Sequence, residues 1–220
     1  MASQLILASG SPRRKELLES LGFVVKAIPP NIDETRHDGE EAENFVKRLA
    51  REKVLAVVQR LHASLYTDEE GASRPLRSSV LGSKDETRWV IGADTVVVLD
   101  GDVFEKPRDS HDAYEMLSRL SGTDHQVITG FCLYDIRKSK EGLQAVHTQV
   151  RFKELSKTEI EKYVELGEGA DKAGSYAAQG VGAYFIEWLQ GSYTNVVGLP
   201  LCQVVEMMQE MGARSILPFG

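Results

Sequence analysis

From Trp89 to Leu99 the chain is strongly apolar and β-branched, and Asp94 stands inside that run. Such a run suits a strand buried on both faces, which demands other elements to cover it. An unpaired carboxylate there costs several kcal/mol, so a partner or a cation is expected. The alternative is an Asp at a strand end that caps a loop. Asp100-Gly101 follows at once, the dipeptide favoured in two-residue hairpin turns. A turn there sets residues equidistant from it opposite one another. That places Lys106 opposite Thr95 and within a residue of Asp94, unless a bulge shifts the face. Lys106 is then the salt-bridge partner of Asp94, a separate ligand for an anion, or both.

Strands and helices alternate along the rest of the chain. Leu5 to Ala8 reads as a short buried strand; Ser11 suits the N-cap and Pro12 the first position of a helix that runs to about Leu21, where Gly22 ends it. Phe23 to Ile28 is a second strand, broken by Pro29-Pro30-Asn31. Between Glu41 and Leu61, Phe45, Val46, Leu49, Ala50, Val54, Val57 and Val58 follow helical spacing, and Lys53 falls inside that apolar stripe. A lysine so placed snorkels to water or meets an anion. A helix over 110–120 and two strands, His125 to Tyr134 and Leu143 to Phe152 around a charged turn from Arg137 to Gly142, come next. Ser156 with Glu159 then makes a capping box for a helix that Gly167 closes. Ala183 to Leu189 reads as a strand, and Pro200 opens a last helix with Leu201, Val204, Val205 and Met208 inward. The alternation predicts one α/β domain over residues 1–220 with a mixed sheet. His62 to Arg88, serine-rich and without an apolar period, reads as a solvent-exposed loop insertion dispensable for chemistry.

Asp and Glu number 33 against 26 Lys and Arg, for a net charge of −7. General binding to nucleic acid or to anionic membranes is therefore disfavoured, and any anionic ligand must meet a local basic cluster. No stretch approaches the roughly 18 apolar residues of a membrane span. The start of the chain lacks a signal-peptide pattern, so the cytoplasm is the expected address. Cys132 and Cys202 stand in apolar neighbourhoods without ligand spacing and read as core thiols. The five histidines share no metal-ligand spacing and read as surface or packing residues.

Ser9-Gly10-Ser11-Pro12-Arg13-Arg14 joins a strand end to a helix start, where free amides, hydroxyls and two guanidinium groups can converge on a phosphate. The same residues also fit a plain capped helix with solvated arginines. Walker A and dinucleotide fingerprints are absent. Glu34, in Ile32-Asp33-Glu34-Thr35-Arg36, means little alone. Together, two carboxylates for Mg²⁺, two arginines and two lysines suit a nucleoside triphosphate better than a neutral substrate.

The ordered motifs resemble the Maf family of house-cleaning nucleotide pyrophosphatases, first associated with septum formation. They are LASGSPRRKELL from Leu7, IDETR from Ile32, RLAREK from Arg48, IGADTVV from Ile91, EKP from Glu105, LSGTDHQVITG from Leu120, DKAGSYAAQG from Asp171 and GSYTNVVGLPL from Gly191. The resemblance implies hydrolysis of a nucleoside triphosphate between the α and β phosphates to a monophosphate and pyrophosphate, with a divalent cation, Mg²⁺ or alternatively Mn²⁺. It implies Ser9, Arg13, Arg14 and Gln179 for substrate binding, and Asp94, Glu34, Lys53 and Lys106 as catalytic residues, with Asp94 and Glu34 also the metal ligands. Only the resemblance points to Gln179. It also implies an elongated fold of two lobes around a central cleft, similar to inosine triphosphate pyrophosphatases, and homodimers in many members. The DKAGSYAAQG form is similar to the branch acting on dTTP and UTP, including some modified uridine nucleotides. Two rivals are a non-catalytic nucleotide sensor in division or stress response and an enzyme acting at the γ phosphate.

Overall fold

A computed structural model describes residues 4–66 and 87–217. The elements, in chain order, are β1 (Gln4–Leu7), α1 (Pro12–Ser20), β2 (Val24–Ala27), α2 (Ala42–Tyr66), β3 (Thr87–Leu99), β4 (Asp102–Phe104), α3 (Ser110–Leu120), β5 (Asp124–Asp135), β6 (Lys140–Phe152), α4 (Lys157–Leu166), β7 (Ile186–Gln190), α5 (Tyr193–Val197) and α6 (Leu201–Glu210). Among the described residues one sheet runs β2-β1-β3-β5-β6-β7, with β4 also on β3. β1 is parallel to β2 and β3, while the other pairs are antiparallel, so the sheet is mixed as expected. The described helices include none long and apolar enough to cross a membrane.

β3 is the central strand, and its two faces are covered differently. On one face Trp89, Ile91 and Ala93 pack with Leu5, Leu18, Phe131 and Met208, while Val97 and Leu99 at the far end pack with Leu117, Phe152, Tyr163 and Phe185. The core on this face is thus split in two, with the polar Thr95 between the halves. The other face lies under α2: Val90 and Cys132 meet Ala50, Val54 and Val57, and Val96 and Ile128 meet Phe45, Val46 and Leu49. Cys132 is buried, but Cys202 is exposed. On α6, Val204 and Met208 face inward, and two residues of helix rotation turn Cys202 away from Val204.

Glycine sets how close α2 comes. Gly130 is the cross-strand partner of Asp94. A Cβ at Gly130 would lie 2.5 Å from the Val46 carbonyl and 2.7 Å from the Lys47 amide; at Gly92 it would lie 2.9 Å from Val54. The helix backbone therefore rests directly on the sheet on either side of Asp94.

The hairpin has the expected register, Leu99 with Asp102 and Val97 with Phe104, across Asp100 and Gly101, both at positive φ. Its ladder ends at Phe104, so Lys106 lies beyond it and is not held opposite Thr95. The capping box of α4 and the left-handed Gly167 are present. Ser11 and Pro12 take their expected places, although Ser11 makes no side-chain cap bond; the Ser11 amide donates to Ser9 Oγ at 3.1 Å. The charged turn is shorter than expected, because β6 already starts at Lys140 and Asp135 Oδ1 accepts from the amides of Arg137 and Lys138. The strand expected from Ala183 begins only at Ile186. Gly180–Phe185 coils into a 3₁₀ turn whose Val181 and Gly182 amides donate to Glu168 rather than to a neighbouring strand. At the expected 62–88 loop, α2 continues to Tyr66 and β3 starts at Thr87; residues 67–86 lie outside the described residues.

Gly130→Ala should lower stability by about 3 kcal/mol, since the added methyl meets main chain that cannot rotate away. Urea unfolding measures it; an unchanged midpoint would mean that α2 lifts off the sheet without cost.

Candidate active site

A cleft of about 310 Å³ opens where the split core leaves the middle of β3 uncovered. Each residue singled out in the sequence lines it: Ser9, Arg13, Arg14, Glu34, Lys53, Asp94, Lys106 and Gln179. They come from the β1–α1 junction, the loop after β2, α2, β3, the segment after β4, and the turn before β7. These segments are spread from residue 9 to residue 179, so only the fold assembles them.

At the centre Lys53 is buried, and its Nζ donates to Asp94 Oδ1 at 2.6 Å and lies 3.2 Å from Glu34 Oε1. The partner that Asp94 required is therefore Lys53. Among the described residues no ion pair joins Lys106 to Asp94, which corrects one of the two roles open to Lys106; its ammonium is exposed at the rim. Lys53 does not snorkel, because the helix stands too close to the sheet for its stem to pass outward. The Glu34 side chain is 42% exposed, so the pair is reachable from the cleft through it. Beside them the Glu105 carboxyl is pushed up, first by burial and then by the charge of Asp94.

Arg13 and Arg14 differ. Arg14 donates from Nε to Gly198 O at 2.8 Å and from its terminal nitrogens to Thr95 Oγ1 at 3.0 Å and Ser9 Oγ at 3.4 Å. Its guanidinium pKa is lowered, chiefly by burial, with Asp94 opposing. Arg14 thus braces the cleft floor. Among the described residues Arg13 keeps one long ion-pair contact, 3.9 Å from Asp171 Oδ1, and it lines the cleft. The cations Arg13, Arg14, Lys53, Lys106 and Lys172 outnumber Glu34, Asp94 and Asp171 on these walls. This is the local basic cluster that a chain of net charge −7 needs to hold an anion.

Several contributors lie inside the ordered motifs without having been singled out, apart from Tyr176, which its Gly-rich segment marked as worth a test although such tyrosines are more often core or rim. Thr95 Oγ1 lies 2.9 Å from Thr129 Oγ1, and Thr129 donates to Asn195 O at 3.0 Å; Asn195 in turn donates to Val127 O and Thr148 Oγ1. Those threonines look like ordinary strand residues. Tyr176 is a buried part of the cleft wall, and its hydroxyl lies 2.9 Å from His125 Nε2. Burial lowers the pKa of His125 to about 4, so the ring is neutral at pH 7. Two carboxylates around one ammonium do not form an all-protein metal cage, and no cluster of three such ligands occurs among the described residues. They do fit a hard cation that takes the rest of its shell from phosphate oxygens.

Comparison with known proteins identifies the family. Residues 4–211 match the family of Maf-like proteins. A protein of Geobacter metallireducens named dTTP/UTP pyrophosphatase is 45% identical over 213 residues, spanning 96% of this chain and 97% of the relative. One of the same name from Geotalea uraniireducens is 44% identical across 96% of both chains. A third, from Citrifermentans bemidjiense, is 41% identical over 211 residues. With the motifs, the mixed sheet and a match from β1 into the end of α6, the chain belongs to the Maf family.

Proposed function

We propose that this protein is a nucleoside triphosphate pyrophosphatase acting on dTTP and UTP, and on modified uridine triphosphates, in house-cleaning of the nucleotide pool. It cleaves between the α and β phosphates and releases a nucleoside monophosphate and pyrophosphate. The observation that carries the reading is the cation-rich cleft of an acidic chain, with the Lys53–Asp94–Glu34 cluster at its base. The relatives named dTTP/UTP pyrophosphatase, similar along nearly their whole length, support the same substrate.

The residues divide the work by position. Arg13 and Lys106, uncommitted at the rim, take the outer phosphates, and charge moving onto the leaving pyrophosphate is stabilised by these cations. Ser9 Oγ already accepts from the Ser11 amide, which leaves its own proton to donate to a phosphate oxygen. Water is the nucleophile, and Asp94 orients it or takes its proton. Lys53 holds Asp94 in place through the bond from its Nζ. Asp94 and Glu34 would hold a divalent cation, Mg²⁺ or Mn²⁺, which supplies Lewis-acid polarisation of the phosphoryl oxygens when bound. Gln179 offers both amide functions to the 2,4-dione edge shared by uracil and thymine. The reading places the enzyme in the cytoplasm as one domain, a homodimer acting on free nucleotides and not on nucleic acid or membranes.

The deciding assay separates monophosphate plus pyrophosphate from diphosphate plus orthophosphate for UTP, dTTP, CTP and GTP. UTP and dTTP should lead, and CTP should fall behind by about tenfold, because its amino group leaves a buried donor unpaired. Binding without turnover would identify a sensor; orthophosphate release would mean attack at the γ phosphate. Asp94→Asn should abolish turnover while the fold survives, and a loss under about tenfold would remove Asp94 from the chemistry. Lys53→Met should cost about 3 kcal/mol by stranding Asp94, and the double variant with Asp94→Asn should regain most of it. Additive losses in that cycle would show that the two groups act independently.

A further inference from the structure

Where α4 ends, the side chains of Glu168 and Tyr163 grip the wall of the cleft that carries Gln179. Glu168 Oε1 accepts from the Val181 amide at 3.0 Å and Oε2 from the Gly182 amide at 2.8 Å. Tyr163 is buried, and its hydroxyl oxygen accepts from the Ala177 amide at 3.1 Å. The grip thus holds one amide before and two after the pair Ala178-Gln179, which lines the cleft. Lys172 Nζ donates to the Glu168 carbonyl and ties the same corner to Asp171.

Glycine makes the grip possible. Gly180 has φ +73°, and a Cβ there would collide with Glu168 Oε1; at Gly182 it would lie 2.6 Å from the Tyr163 hydroxyl. The two acceptors occupy the volume that side chains would fill. Burial raises the pKa of the Glu168 carboxyl, but the bonds from Gly182, Tyr163 and Val181 outweigh it, so the group stays ionised and strongly accepting. Burial first, and Glu168 as well, push the Tyr163 phenol up. Neither residue lines the cleft, and Gln179 makes no side-chain hydrogen bond among the described residues. Among the described residues, hydrogen bonding therefore fixes the backbone around Gln179 and not its amide.

We infer that Glu168, together with Tyr163, is a positioning residue for base selection: it fixes the Tyr176–Gly182 backbone so that Gln179 meets the base edge in one orientation. The inference rests on the proposed pyrophosphatase reading and adds to it how the pocket tells bases apart. Arg13 and Lys106, assigned to the phosphates, come from α1 and from the segment after β4 and not from the gripped 176–182 segment, so binding of base and phosphates should separate.

The experiment measures KM, kcat, the UTP-to-CTP ratio of kcat/KM, and inhibition by inorganic tripolyphosphate, which lacks a base. Glu168→Ala should raise KM for UTP about tenfold, leave kcat within about twofold and shrink the UTP-to-CTP ratio, with tripolyphosphate inhibition unchanged. Glu168→Gln, which keeps one acceptor, should show about a third of that rise. Tyr163→Phe retains the ring and should act in the same direction, and it carries the test if Glu168→Ala does not fold. Unchanged KM and base ratio in a folded variant would overturn the inference, and so would an equal loss of tripolyphosphate inhibition, which marks general collapse of the cleft. A wild-type enzyme releasing no UMP and pyrophosphate from UTP would sink the pyrophosphatase reading, and this inference with it. An active wild type beside indifferent variants would sink this inference alone.

Discussion

Lys53 and Asp94 meet inside an interface that is otherwise hydrocarbon, and both would lose water for nothing if they did not meet. Their contact requires that α2 lie within a short lysine's reach of β3. Close approach in turn requires that the strands present no side chain under the helix at Gly92 and Gly130. The ion pair and the packing thus depend on one distance. Glu34, the second carboxylate on Lys53, draws the loop after β2 to the same point. The cluster therefore fixes a helix, a strand and a loop relative to one another before any ligand arrives.

The cleft follows from where polar groups interrupt the sheet. On the face away from α2, Thr95 and Thr129 break the apolar pattern at the middle of two paired strands. Their hydroxyls connect to Asn195 and Arg14 instead of to hydrophobic neighbours. Two apolar clusters form on either side and neither can close over the gap. A polar belt across a sheet costs little while each member has a partner. One exception is Asn195 Oδ1, a buried oxygen without a protein partner.

Much of this was legible before the fold was known, for physical reasons. The hairpin register followed from Asp100-Gly101, and the start of α4 from Ser156 and Glu159, because these are local interactions complete within a few residues. Asp94 and Lys53 both stood out as charges at apolar positions. That they belong to each other was not legible, since they lie 41 residues apart and the decisive distance is set by Gly92 on β3 together with Gly130 on β5. Lys106 looked like the nearer partner only as long as the hairpin ladder was taken to run past Phe104. Ala183–Phe185 read as the start of a strand because its side chains suit one, whereas it belongs to a 3₁₀ turn whose Val181 and Gly182 amides are captured by the Glu168 carboxylate. The short α5 is too brief for a period, and the Thr95–Thr129–Asn195 chain lay unmarked inside the ordered motifs because nothing local shows which of these side chains meet.

Arg14 and the Gly198 carbonyl are joined across 184 positions. A ribosome makes the Arg14 end of the chain long before the carbonyl that anchors it. For most of synthesis the Arg14 guanidinium has no fixed partner on that side, and the binding walls cannot be brought into register. The first and last parts of the sequence must find each other after nearly all of the sheet is available, and contacts of such long sequence separation are the slow ones in folding. The floor of the cleft is therefore completed only once the residues around Gly198 have been made.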